Sequence, residues 1–404
     1  MSLPRSVACV LTGSVESVVA ALLLKKKGFS VTGTFIHNTL LPKQLNETLK
    51  EYAARAAVCL NISFREIHIP IENWDELKQS AVEDYKQGRT PDLAFKYIND
   101  IVCGLALKHA RQQFGVNSFA TEHFARTSRP LHRTQVYSTT ERAKLFRGVD
   151  QLYDDSRLFA GLAQSNLQHL VLPLGEINKE IVPKIAETAG LQSLVVREGL
   201  DHNEVQEIAR QAVLKELPPV PGKFLNVETF KEEHTCDNVY ELKPGDIVKI
   251  HEQEFVVVEK DINNSHIYIA EFREHPALSC ETFFTGLAHW QTEVPYDFYE
   301  KQMMNAEFRT GHHQGIMKGT MTVGATNEYC GNDHIIVSSS SPVKNIVPGY
   351  YAAFYRGEEV LGCGKIIKRG PSLYAMNYKL YKQKSHPQAA DSTFKTFLRK
   401  LKGS

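Results

Sequence analysis

A chain of 404 residues is longer than one ordinary hydrophobic core requires, so we expect two or three domains. Its 42% hydrophobic and 23% charged residues are typical of globular proteins, and no apolar run approaches the roughly 20 residues that span a bilayer, so we expect no membrane partner. The net charge of +1 excludes a strongly basic field over the whole chain. Seven scattered cysteines without a CxxC pair argue against a disulfide framework or structural zinc, and favour a reducing compartment.

Short β-rich runs alternate with longer helical stretches over residues 1–207. Because strand–helix–strand repetition produces a parallel sheet covered on both faces, we predict an α/β domain here. The predicted strands are SVACVL, SVTGTFI, ISFREIHI and SFATEH, and the predicted helices are VESVVAALLLKKKG, LNETLKEYAARAAVCL and IVCGLALKHARQQFG. Ligands of such sheets bind at the carboxyl ends of the strands, where the turn LTGSVES lies.

The composition changes at PPVPG, residues 218–222, which we interpret as a linker. Beyond it, β-rich pieces such as EFVVVEK, HIYIAEF and HIIVS are separated by turn signals at strand-like spacing. We therefore predict a small β-rich central domain over residues 208–282 and a C-terminal β-barrel over residues 283–404.

The turn from Thr12 to Ser17 has features of a phosphate loop. Inward-pointing amides and the N-terminus of the following helix bind phosphate in such turns. Ser14 stands where a second glycine is expected, and a serine of positive φ at this position would cost about 1 kcal/mol and crowd the phosphate. On its own, the turn is equally compatible with an ordinary strand-to-helix connection.

Longer stretches make the pattern specific, in one order along nearly the whole chain. They include VVAALLLKKKGFSVTGTFIHN, GVNSFATEHFART, LFRGVDQLYDDS, LPLGEINKEIVPKIAETAGL, PVPGKF, EHPAL and PGYYAAFYRGEEVLGCGKIIKRGPSLY. Through them the chain resembles the tRNA-specific 2-thiouridylases, and most of all the animal mitochondrial form. The resemblance implies an N-terminal pyrophosphatase-loop domain of α/β type, a small central domain and a C-terminal β-barrel that helps to hold tRNA.

The chemistry implied by the resemblance uses ATP and Mg²⁺ to adenylate the C2 oxygen of the wobble uridine, after which a cysteine persulfide delivers sulfur and a second cysteine helps to release it. The corresponding nucleotide-binding positions here are Val10, Leu11, Thr12, Gly13, Ser14, Val15, Glu16, Ser17, Ile36 and Glu122. The corresponding tRNA-contacting positions are His123, Tyr153, Asp154, Asp155, Arg309 and Tyr350. For His123, a histidine held by a backbone carbonyl at a strand end is an equal alternative.

The departures from the family pattern fall on functional positions. The family loop Ser-Gly-Gly-Val-Asp-Ser is here Thr-Gly-Ser-Val-Glu-Ser, and a glycine near the nucleotide is Glu122, which disfavours ATP phosphates. When the chain is aligned to the family motif, the first family cysteine corresponds to Tyr97 without a gap, or to Phe95 with a two-residue gap. The second family cysteine corresponds to Asn203. Since no oxygen or amide side chain carries a persulfide, we assign no catalytic residue. Cys103 is the nearest substitute, but its apolar helix predicts an inert packing residue.

Three hypotheses follow. The first is a catalytically defective thiouridylase homologue that retains binding of tRNA or of the tRNA-modification machinery. The second is an active enzyme that uses another thiol or a separate sulfur carrier, and the third is an interaction protein without RNA binding. We predict no metal site, because His312 and His313 have no third ligand at sensible spacing. The resemblance implies a mitochondrial location; since no transit peptide is evident, the cytoplasm is the alternative.

Overall fold

The computed structural model describes residues 5–128, 142–191, 202–311, 314–324 and 334–377, with the side chains of 202–206 left out. The first half of the chain contains eight α-helices and seven strands within this part. The helices are α1 Val15–Lys26, α2 Lys43–Cys59, α3 Ile71–Lys86, α4 Leu93–Lys96, α5 Leu107–Phe114, α6 Gln164–Leu167, α7 Val182–Thr188 and α8 His202–Leu214. The strands are β1 Ser6–Val10, β2 Ser30–Ile36, β3 Ser63–Ile67, β4 Ser118–Ala120, β5 Ala125–Thr127, β6 Leu145–Arg147 and β7 Leu170–Val171.

Five of these strands form a parallel sheet in the order β3-β2-β1-β4-β7. The central strand β1 alternates between two cores, because Ala8 and Val10 belong to one buried cluster while Val7 and Cys9 belong to the other. The sheet is therefore covered on both faces, which confirms the α/β prediction. The carboxyl ends of β1 and β4 lie side by side, so the segments that follow them meet at one edge.

The central segment forms a second, five-stranded sheet. Its strands are β8 Gly222–Asn226, β9 Glu232–Cys236, β10 Ile247–Ile250, β11 Gln253–Asp261 and β12 His266–Ala270. They are ordered β10-β11-β12-β8-β9, with β12 and β8 parallel and the other pairs antiparallel.

The C-terminal segment forms a closed barrel. Its elements are β13 Ser279–Thr285, β14 His289–Trp290, α9 Tyr296–Lys301, β15 Met303–Arg309, β16 Met317–Gly324, β17 His334–Lys344, β18 Tyr351–Arg356 and β19 Glu359–Arg369. Six strands follow the order β13-β17-β16-β15-β18-β19, and β13 pairs with β19 to close the ring, which confirms the predicted β-barrel.

The first half of the chain adds a hairpin to this barrel. Strand β6 pairs with β19, and β5 pairs with β6, so residues immediately after the β4 edge join the C-terminal sheet. The predicted boundaries after residues 207 and 282 fall inside α8 and β13. The division into three domains stays a prediction, and the composition of the sheets favours one boundary after α8 and another before β13. No helix among the described residues combines the length and apolar character needed to cross a bilayer.

Candidate functional site

The turn between β1 and α1 is a compact loop held by its own side chains. Gly13 has φ +86°, a conformation that favours glycine. Ser14 is extended, with φ −70°, and caps α1 because its Oγ accepts a hydrogen bond from the Ser17 amide at 3.0 Å. The Ser17 hydroxyl donates to the Ser14 carbonyl at 2.9 Å. Ser14 is therefore unstrained, which corrects the expectation of a strained serine of positive φ.

Glu122, two residues beyond β4, places its carboxylate in this loop. Its Oε2 accepts hydrogen bonds from the Thr12 hydroxyl at 2.9 Å and from the Ser14 hydroxyl at 2.8 Å. The N-terminus of α1 adds a partial positive charge beside these hydroxyls. The side chain of the chain's own glutamate thus occupies the position that the loop would offer to an anion.

Glu122 is poorly solvated where it lies. Burial raises the pKa of its carboxyl to about 7; hydrogen bonds from Ser14 and Thr12 act in the opposite direction, and the nearby Glu16 carboxylate adds to the increase. Close to neutral pH, Glu122 is therefore partly protonated in the loop.

A second carboxylate flanks the loop. Glu16 lies in the first turn of α1, and its Oε1 is 3.8 Å from the Lys179 ammonium. The same ammonium lies 4.4 Å from the centre of the Tyr153 ring. Tyr153 is 40% exposed. A phosphate placed in the loop would lie close to the carboxylates of Glu16 and Glu122. Among the side chains just described, only the Lys179 ammonium carries a positive charge that would reduce this repulsion.

A cavity of about 180 Å³ opens beside the loop. Its polar lining residues include Thr12, Ser14, Glu122 and His123, and most of the wall is apolar. Apolar wall residues include Val10, Ile36, Leu40, Leu93, Tyr97, Ile98 and Val102. Of the other predicted nucleotide residues, Leu11 is fully buried and Val15 is half-buried. Leu40, Leu93, Ile98 and Val102 were missed from the sequence, because apolar residues in such stretches are typical of ordinary core, whereas Tyr97 was named only as the counterpart of a family cysteine.

The two positions considered for the first family cysteine have different surroundings. Tyr97 lines the cavity, and burial raises the pKa of its hydroxyl, with the Glu122 charge acting in the same direction. Phe95 is 4% exposed, and its ring stacks on that of Tyr351 at 3.9 Å. The count without a gap therefore leads to the residue that faces the cavity. Asn203 lies in α8, and its side chain is outside the described residues.

No cysteine lines the cavity within the described part of the chain. Cys9 and Cys103 are fully buried, and burial raises the pKa of both thiols. Cys363 in the barrel is also buried, with a raised pKa from the same cause. Cys59 is exposed at the end of α2, away from the loop. Because sulfur transfer uses a thiolate, burial disfavours the reactive form of Cys9, Cys103 and Cys363.

Asp154 and Arg309 form a buried pair. Arg309 donates from Nη1 to the Asp154 carboxylate at 3.1 Å and to its carbonyl at 2.9 Å, and both residues are at most 2% exposed. The amides of Gly148 and Ser156 also donate to this carboxylate. The burial of both side chains argues against the tRNA contacts predicted for Asp154 and Arg309, and the pair instead links β15 to the segment after β6.

The other predicted tRNA positions differ in accessibility. Asp155 accepts a hydrogen bond from the Phe124 amide at 2.8 Å, which fixes the turn after the β4 edge. His123 is half-buried, lies 3.1 Å from the Thr121 hydroxyl, and has a pKa lowered to about 4 by burial. Tyr350 is half-buried, and burial raises its pKa. Tyr153 is the most exposed of these side chains. It lies near the loop because the Lys179 ammonium contacts both its ring and Glu16, and Lys179 was missed in the sequence. His312 and His313 lie outside the described residues.

The fold and the site define a protein with a pyrophosphatase-type loop at the edge of a doubly covered parallel sheet, followed by a β-barrel. Residues 5–208 match the family model of the tRNA methyl transferase HUP domain, and residues 281–366 match that of the aminomethyltransferase beta-barrel domain. The chain belongs to the tRNA-specific 2-thiouridylase family.

Relatives from animals and bacteria match over almost their full length. The chain is 29% identical to mitochondrial tRNA-specific 2-thiouridylase 1 of Gallus gallus over 410 residues, covering 92% of this chain and 94% of the relative. It is 29% identical to the Homo sapiens protein of that name, covering 92% of each chain. It is 27% identical to tRNA-specific 2-thiouridylase MnmA of Haemophilus influenzae, covering 90% of this chain and 94% of the relative.

Proposed function

We propose that this family member binds tRNA but does not carry out ATP-dependent thiolation. The observation that carries the proposal is the Glu122 carboxylate, hydrogen-bonded to the hydroxyls of Thr12 and Ser14 inside the loop. ATP phosphates would have to displace this group and then remain beside Glu16, with like charges in a poorly solvated site. A Mg²⁺ ion would offset part of that repulsion, but the glutamate side chain would still fill the space.

The missing thiols support the same proposal. The cavity presents the Tyr97 hydroxyl where the family pattern has a cysteine, and a hydroxyl carries no persulfide. The buried thiols of Cys9 and Cys103 favour the neutral form, and neither residue lines the cavity. An active enzyme would therefore need a separate sulfur carrier as well as a rearranged loop.

Retained tRNA binding is proposed from the family and from the exposed groups near the loop. The relatives are named for tRNA, and the barrel and the HUP domain match together in this chain. Tyr153 and Lys179 offer a ring and an ammonium that suit a base and a phosphate. The names of the animal relatives favour the mitochondrion, where partners from the tRNA-modification machinery would be found.

The first test measures thiolation directly. Purified protein is incubated with unmodified tRNA, ATP, magnesium and a persulfide donor, and nucleosides are analysed by mass spectrometry, with an active family enzyme in parallel. We expect no 2-thiouridine above a control without ATP. Thiolated uridine in the complete reaction would contradict the proposal and favour the enzyme that uses an external sulfur carrier.

Two variants test the role of Glu122. Glu122→Gly removes the side chain from the loop, and Glu122→Gln keeps its bulk without its charge. We expect ATP affinity, measured by calorimetry, to rise at least about tenfold in Glu122→Gly, and less in Glu122→Gln if bulk contributes. Equal ATP affinity in the wild type and Glu122→Gly would show that the glutamate does not close the loop.

RNA binding is measured separately, by titrating tRNA at several salt concentrations. Phosphate contacts release counterions, so we expect log K to fall linearly with log salt. Absence of tRNA binding at low salt would instead favour the interaction protein without RNA binding.

A further inference from the structure

The carboxyl ends of β2 and β3 carry a cluster of side chains of the types that bind metal ions. Strands β2 and β3 are parallel, with Phe35 opposite Glu66 and Ile36 opposite Ile67. His37 and His68 each follow the last pair, and the His37 amide donates to the Ile67 carbonyl at 3.0 Å. Because side chains alternate between the faces of a sheet, this register puts the side chains of Glu66, His37 and His68 on one face at neighbouring strand ends.

The side chains meet as this register requires. His37 Nε2 lies 2.7 Å from Glu66 Oε2, and His68 Nε2 lies 3.8 Å from the same oxygen. The two imidazole rings stack with centroids 4.0 Å apart, and one ligand atom from each of the three residues lies within 4.8 Å of the others. In a tetrahedral site with bonds of about 2.0–2.1 Å, ligand atoms are about 3.3 Å apart, so the three atoms are within reach of one ion once the stacked rings turn apart to aim their in-plane lone pairs at it.

We propose that His37, Glu66 and His68 bind one borderline divalent ion such as Zn²⁺. Two imidazoles and one carboxylate are ligands that suit zinc, and three protein ligands leave a coordination position open. The side chains are 17%, 39% and 70% exposed in the order His37, Glu66 and His68, so the ion enters from solvent through His68. Spacing along the chain did not indicate this cluster, because its members lie on two strands.

A nearby lysine does not block the site. Lys50 Nζ lies 4.0 Å from Glu66 Oε2 but 2.5 Å from Glu47 Oε2. Glu47 therefore retains this ammonium when a cation binds Glu66. The His37 ring also packs edge-on against Phe35 at 5.2 Å, which restricts its orientation before any ion arrives.

The site adjoins the cavity. Ile36 and Asn38, the neighbours of His37 in the chain, both line the cavity, and Phe35 lines it as well. An ion bound by His37 would therefore lie next to the part of the cavity wall formed by Phe35, Ile36 and Asn38. The inference is independent of the proposed function, because it depends neither on Glu122 nor on RNA.

Zinc binding is tested with the full-length protein without a histidine tag. Calorimetry with Zn²⁺ is expected to show one site per chain, and the affinity should fall at least about tenfold in His37→Ala/His68→Ala. His68→Ala alone changes a mostly exposed side chain, so it reports on the site even if the double variant folds poorly. His234→Ala is the matched control, since His234 also pairs with another histidine, His251, at 5.3 Å.

Cobalt identifies the ligands. We expect Co²⁺ to give the absorption of a nitrogen and oxygen site without thiolate charge transfer, which excludes exposed Cys59 as the ligand. Absence of binding, a thiolate spectrum, or equal affinities in wild type and His68→Ala would overturn the proposal. Loss of affinity in His234→Ala equal to that in His68→Ala would do the same.

Discussion

One carboxylate decides the chemistry of the loop. Glu122 lies two residues beyond β4, and its contacts with Thr12 and Ser14 join the segment after β4 to the turn after β1. Burial nevertheless disfavours the charged form of this carboxyl and raises its pKa to about 7. A residue in this situation makes the stability of the fold depend on pH.

We expect wild-type stability to fall as pH rises through the range from about 4.5 to about 7. The folded pKa of Glu122 is about 7 and its ordinary value is 4.5, so in this range the folded chain keeps a proton that the unfolded chain has lost. The free energy of unfolding is then lowered by at most about 3 kcal/mol, at 1.36 kcal/mol per unit. Glu122→Gln should lack this component.

Urea denaturation of wild type and Glu122→Gln at intervals from pH 4 to pH 8 measures the difference. Glu76→Gln, at an exposed position of α3, is the control and should follow the wild type. Parallel pH profiles for the wild type and Glu122→Gln would mean that the glutamate is well solvated in the loop.

At the scale of elements, the helix over Tyr97–Ala106 is the least ordinary. It is a π-helix, with wider turns than the α-helices on either side. Gly104 makes the wide turn feasible, because a Cβ there would lie 2.8 Å from the Asn99 carbonyl oxygen. The Asn99 side chain donates to the carbonyls of Phe95 and Leu158 and so anchors this segment.

The sequence predicted a helix in this region but not its wide turns. Apolar periodicity in IVCGLALKHARQQFG indicates a helix. A single glycine inside a helical pattern is compatible with several local structures, so Gly104 alone does not predict a π-helix. Strands β5 and β6 escaped prediction for another reason, since three residues carry no alternation that could be recognised. The loop positions were predicted because glycine, hydroxyls and a strand-to-helix boundary coincide, but the hydrogen bonds of Glu122 required the fold.

Cys103 lies in this π-helix, and its burial predicts low reactivity of its thiol. This thiol is fully buried and burial raises its pKa, whereas Cys59 at the end of α2 is exposed. We expect brief treatment of the native protein with iodoacetamide to alkylate Cys59 and to leave Cys103 unmodified until denaturant is added. Peptide mass spectrometry measures both sites in one digest. Rapid alkylation of Cys103 in the native protein would instead support the hypothesis that Cys103 carries sulfur in place of the family cysteine.

At the scale of the molecule, a buried ion pair within the first half of the chain also contacts the barrel. Arg157 donates from Nη1 to Asp92 at 2.6 Å and to the Tyr351 carbonyl of β18 at 3.2 Å. Asp92 also caps α4 by accepting from the Phe95 amide. The preceding Thr90 donates its amide to the Pro348 carbonyl at 2.8 Å. The stretch GRTPD thus holds the barrel against the sheet that carries the loop.

Breaking this pair should destabilise the whole chain. Asp92→Asn removes the charge that compensates Arg157, which is 2% exposed, and an uncompensated buried charge costs about 3–5 kcal/mol. We expect that loss in urea denaturation, whereas Asp75→Asn, which breaks the more exposed pair with Lys78, should cost less than about 1 kcal/mol. Adding Arg157→Met to Asp92→Asn removes the stranded charge and should recover part of the stability. Equal losses for Asp92→Asn and Asp75→Asn would show that the contacts at Thr90 and the stacking of Phe95 on Tyr351 hold the barrel without this pair.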